Sequence, residues 1–64
     1  DKPELVCHAG QEFNYVLEGL LRVVVGDEEF YLHKGDSLYF DPALPHAQMA
    51  MGDKPARFIT VINE

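Results

Sequence analysis

The sequence predicts an all-β domain of short antiparallel strands, and three observations carry that prediction. Chain breakers recur at short intervals: Gly10, Gly19, Gly26, Gly35 and Gly52 punctuate the sequence, with Pro3, Pro42, Pro45 and Pro55 beside or between them. The segments between breakers run to roughly five to eight residues, a strand length rather than a helix length. Those segments are rich in Val, Tyr, Phe, Ile and Leu, side chains that suit a pleated, half-buried surface. Many short strands at this spacing read as a sandwich or a barrel.

Taken in order, strands are expected over residues 4–8, 12–17, 20–25, 28–32, 37–40, 46–51 and 56–62. Gly19 after Glu18 turns the chain in a left-handed conformation that glycine adopts without a Cβ penalty. Gly26-Asp27 fits a two-residue hairpin loop with positive φ first. Lys34-Gly35-Asp36 is a third turn and Gly52-Asp53-Lys54 a fourth. Pro55 then marks the start of a strand, because it has no N–H to give a ladder. The run Asp41-Pro42-Ala43-Leu44-Pro45 is a rigid connection that neither a helix nor a central strand accepts. Residues 20–25 and 58–62 are apolar on both faces, so one face lines the interior and the other calls for cover by a second sheet or subunit. A homodimer is the expected arrangement.

The 64 residues are expected to form one domain, 1–64, and a chain this short hides only about 60% of its unfolded surface. At such sizes a metal or a partner subunit commonly supplies the missing stability. With Cys7 the lone cysteine, no internal disulfide can form, which fits a reducing compartment. Cys7 reads as a small buried residue with no base placed to activate it. No stretch approaches the roughly 20 apolar residues of a membrane helix, and no secretory signal is visible; a cytoplasmic location is the default. The first residue is Asp1 rather than Met, as expected of a piece of a longer chain. Acidic residues outnumber Lys and Arg by eleven to five, for a formal charge of −6. Such a surface repels phosphate backbones and argues against direct nucleic-acid contact.

The residues with chemistry to offer are His8, Glu12 and His46, with Asn14, Tyr39 and Gln48 behind them. Imidazoles and a carboxylate together suit a divalent ion such as zinc, iron, manganese or nickel, and two His with one carboxylate leave positions open for another ligand. The even offset from His8 to Glu12 keeps both on one face, and Gly10 between them permits a bend. Glu12 inside an apolar strand needs a partner if it is buried. Its structural alternative is a solvent-facing position; for His46 it is an imidazole satisfied by a backbone carbonyl. Asn14 and Gln48 are polar residues on apolar strands, and with Tyr39 they are the expected lining of a ligand pocket. His33 beside Lys34 and Arg57 at a strand start read as surface residues.

These residues carry a family resemblance. The stretch from His8 through Glu12 to Gly19 resembles the first cupin motif: His-x-His, three or four residues, Glu, six residues, Gly. Gly35-Asp36-Ser37-Leu38-Tyr39-Phe40 followed by Pro45-His46 resembles the second: Gly, five residues, Pro-x-Gly, two residues, His, three residues, Asn. The resemblance implies a double-stranded β-helix, or jelly roll, and a metal held by His8, Glu12 and His46. The departures are specific. Val6 stands where the leading His is usual, Asp41 and Ala43 replace the Pro and Gly of the second motif, and Ala50 replaces its Asn. Cys7 does not replace the lost imidazole, because its odd offset from His8 aims it at the opposite face.

Within the cupins, residues 10–19, 35–41 and 54–58 look most like the domains that follow a helix-turn-helix in bacterial transcription regulators. That resemblance implies a sensory module in which a small-molecule effector, with or without a metal, occupies the barrel of a dimer. The reading leans away from an enzyme. The alternative is a metal-dependent cupin enzyme of the dioxygenase, isomerase or decarboxylase type, and a third reading is a barrel used only for dimerisation. Fold by itself does not choose among them.

Overall fold

The computed structural model describes residues 4–63; Pro3, one of the expected breakers, lies outside them. Among the described residues six strands form: β1 (Gln11–Glu18), β2 (Leu21–Val25), β3 (Glu28–Leu32), β4 (Ser37–Phe40), β5 (His46–Ala50) and β6 (Arg57–Asn63). Each falls within one residue of its expected bounds at either end. The turns behave as their residues dictate. Gly26 has φ of 57° and Asp27 is not in the positive-φ region, the pattern of a loop with glycine first.

The strands make two antiparallel three-stranded sheets, in orders β4-β1-β6 and β3-β2-β5, the architecture of a small jelly roll. Alternation decides what faces inward. On β1 the buried positions are Glu12, Asn14 and Val16, and on β2 they are Leu21, Val23 and Val25. Val16, Leu21, Val23, Val25, Leu32 and Phe40 close on one another as the core, with Phe30, Leu38 and Ala56 packed against them. This apolar cluster fills one part of the interior. The inward positions at Glu12, Asn14, His46 and Gln48 make the remainder polar.

The strand expected at 4–8 does not form. It is reduced to a single bridge in which Val6 and His46 exchange both backbone hydrogen bonds at 2.9 Å. The next rung is lost because the Leu44 N–H is spent on Asp41 O at 3.2 Å within the turn. The His8 N–H goes instead to Pro42 O at 2.9 Å. The proline-rich connection therefore stops the ladder while still anchoring the segment that carries His8.

The two-faced apolar strand expected at the C-terminal end is β6, which lies at a sheet edge beside β1, and all seven of its residues are exposed. On the outer face of that sheet Phe13 is flanked by Tyr39 and Val61, and Tyr15 by Ser37 and Ile59. Among the described residues no helix is long and apolar enough to cross a membrane.

Candidate metal centre

Each candidate ligand is placed by a different part of the chain. Glu12 points inward from β1, whose alternation also sends Asn14 inward. His46 opens β5 and is held by the rigid connection before it. His8 precedes β1, at the end of the segment docked on Pro42. The three come together: His8 Nε2 lies 2.8 Å from Glu12 Oε1, and His46 Nε2 lies 3.3 Å from the same oxygen. One ligand atom from each residue falls within 4.8 Å of the others.

The far sides of both imidazoles are fixed. His8 Nδ1 donates to Ala9 O at 3.1 Å, and His46 Nδ1 donates to Leu44 O at 2.9 Å. A carbonyl only accepts, so each Nδ1 carries hydrogen and each Nε2 is the ring atom turned toward Glu12. This is how second partners commonly orient a metal-binding histidine. Phe40 meets the His46 ring edge-on, with centroids 5.0 Å apart, and the His8 and His46 rings stand nearly perpendicular at 5.1 Å.

Glu12 is the hub. Its other oxygen, Oε2, accepts from Asn14 Nδ2 at 3.0 Å and Gln48 Nε2 at 2.7 Å. Burial pushes the Glu12 carboxyl up, but hydrogen bonds from Asn14, His8 and Gln48 and the charge of His46 outweigh it, holding the group below its usual value. An anionic carboxylate is thus kept in a site where Glu12 and His46 are each only 2% exposed as side chains, against 26% for His8. Solvent reaches the cluster on the His8 side.

The donor set fits a divalent ion. Two imidazole nitrogens and a carboxylate oxygen each about 2.1 Å from a common ion would lie roughly 3.0–3.4 Å apart. The 2.8 and 3.3 Å separations to Glu12 Oε1 are close to that spacing. Val6, at the position of the lost imidazole, sits directly across the bridge from His46 and is 51% exposed.

Of the expected pocket residues, Asn14 and Gln48 join the cluster and Tyr39 does not. Phe40 and Leu38 take the inward positions of β4, so Tyr39 turns outward and is 62% exposed. Cys7 is exposed rather than buried, in keeping with its odd offset from His8. His33 and Arg57 are exposed, the latter 3.7 Å from the exposed Glu18. Thr60 is a residue the sequence reading missed. Its Oγ1 donates to Asn14 Oδ1 at 3.3 Å, and its signal was that of Asn14 and Gln48, a lone polar residue within an apolar strand. An open depression among the turns around Gly19, Lys34 and Gly52 shares none of the cluster residues. The ligand atoms gather elsewhere.

The profile of the family described as "Cupin domain" matches residues 1–62. An uncharacterized protein of Methanocaldococcus jannaschii is 31% identical to the chain over 52 residues. The match takes in 81% of this chain but only 42% of that protein's length. No solved structure matches the chain.

Proposed function

Since the chain belongs to the cupin family, we propose that it is a binding domain holding one divalent metal at His8, Glu12 and His46 and presenting it to a small polar molecule. The observation that supports this most is the convergence of two Nε2 atoms on Glu12 Oε1 while both Nδ1 atoms are tied to backbone carbonyls. The bound ion would act as a Lewis acid toward an oxygen or nitrogen of the ligand. The protein residues orient the donors, hold the carboxylate ionised and leave the His8 side open.

The finer reading is a sensory module of a bacterial transcription regulator, supported by the resemblance of residues 10–19, 35–41 and 54–58 to such domains. The deciding experiment is metal content by elemental analysis of protein purified without chelator, beside the His46→Ala variant. About one equivalent in the wild type and none in the variant is expected of a three-ligand site. A wild type that carries no metal, and takes up none on addition of zinc, iron, manganese or nickel, rejects the reading.

The effector sensor is further proposed to work as a homodimer joined through the outer face of the β4-β1-β6 sheet. Phe13, Tyr15, Tyr39, Ile59 and Val61 there are uncharged on a chain of net charge −6, so two copies meet without like-charge contact. Val61→Glu puts opposing carboxylates across that face and is expected to convert a dimer to monomer in analytical ultracentrifugation. A wild type that sediments as a monomer at high concentration rules the interface out.

A further inference from the structure

Resting on the metal reading above, we infer that Asn14 and Gln48 are positioning residues that restrict Glu12 to binding the ion through one oxygen. The two carboxylate oxygens have separate duties. Oε1 faces both imidazoles, at 2.8 and 3.3 Å. Oε2 is taken up by the two amides, Asn14 Nδ2 at 3.0 Å and Gln48 Nε2 at 2.7 Å.

The amides orient each other. Gln48 Nε2 also reaches Asn14 Oδ1 at 3.0 Å, and that oxygen accepts from Thr60 Oγ1 at 3.3 Å. A carboxylate and an amide oxygen are acceptors only, so the Gln48 nitrogen must be the atom placed between them. Asn14 then has its nitrogen toward Glu12 and its oxygen toward Gln48. Asn14 lies on β1 and Gln48 on β5, so Oε2 is gripped from both sheets at once. For Oε2 to swing onto the ion it would have to abandon two charge-assisted hydrogen bonds in a water-poor interior. The ion's remaining positions are therefore left to water and ligand rather than to a second oxygen of Glu12.

A network that merely satisfies buried polar groups would not control how the carboxylate binds, and that difference is measurable. Zinc affinity is read by competition with a chromophoric chelator, and the Glu12 binding mode by infrared difference spectra of loaded minus metal-free protein. The wild type is expected to show the wide carboxylate stretch separation of one-oxygen binding. Gln48→Met, close in shape but without donors, is expected to bind zinc about 10–100-fold more weakly, with the separation narrowed as Oε2 joins the ion. Thr60→Val, which touches only the outer link, should stay near wild type in both readings. A narrow separation in the wild type overturns the inference, even where Gln48→Met fails to fold. So does a folded Gln48→Met with unaltered affinity and bands, while leaving the metal reading intact. A wild type that binds neither zinc nor iron, manganese or nickel overturns the metal reading itself and this inference with it.

Discussion

Replacing Glu12 by alanine is expected to lower stability by about 3–5 kcal/mol and abolish metal uptake, whereas Glu12→Gln is expected to lose the metal and keep the fold. Alanine removes the carboxylate on which His8, His46, Asn14 and Gln48 converge. The two amide donors and the two imidazole edges are then left around a hole, and unpaired buried polar groups are costly. Glutamine avoids this. Its oxygen can take the Asn14 and Gln48 donors, and its NH2 group can face the two Nε2 atoms as acceptors, since both histidines keep their Nδ1 hydrogens on carbonyls. Chemical denaturation of metal-free protein and elemental analysis separate the two effects. A loss below about 1 kcal/mol for Glu12→Ala, the size of an ordinary hydrogen bond, would mean the carboxylate is not the hub. The same residue sets an acid limit. Its native carboxyl is held below the usual value, so the stability it contributes is complete above the ordinary Glu pKa of about 4.3 and drains away as pH falls through the lowered native value. Thermal unfolding of the wild type should steepen there, and Glu12→Gln should flatten the curve.

How much of the site was legible follows from which cues were local. His8 and Glu12 are separated by an even offset around a glycine, and the fold brings both to one point. Asn14 and Gln48 announced themselves as polar residues where an apolar strand had no use for one, and both joined the carboxylate. Tyr39 was misplaced because every residue from Leu38 to Phe40 is apolar or aromatic. The alternation there does not say which parity faces inward, and a one-residue slip exchanges the faces. The carbonyls of Ala9 and Leu44 that fix the imidazoles are backbone atoms, and no residue type encodes them.

The strands were legible because glycines and prolines bound nearly all of them, so the hydrophobic runs had defined ends. The segment at 4–8 failed for a non-local reason. Its partner is the proline-rich connection, whose internal turn uses the N–H that a second rung needs. The apolar character of β6 predicted a need for cover on both faces. The fold leaves it on an edge with all seven residues exposed, beside β1, the strand that carries both Glu12 and Phe13.

Gly19→Ala is expected to destabilise the domain by about 2–5 kcal/mol, the sum of roughly 1–2 kcal/mol for a left-handed backbone and about 1–3 kcal/mol for overpacking. Gly19 has φ of +84°, and a Cβ there would meet Pro55 O at 2.7 Å and Ala56 Cα at 3.0 Å. Both neighbours are backbone atoms at the entry to β6, so no side chain can swing aside. The first term was predictable from the turn; the second arises because the C-terminal strand begins directly against the end of β1. Gly35→Ala isolates the difference: its φ is +89° with nothing within 4 Å of the added atom, so only the conformational term applies. For a domain of this length, at roughly 0.05–0.15 kcal/mol per residue, the Gly19 loss is a large share of the total. Urea denaturation of the two variants should show Gly19→Ala the less stable by about 1–3 kcal/mol. Equal losses would mean that the start of β6 moves away freely, and the edge strand would then be far less firmly held than its pairing with β1 implies.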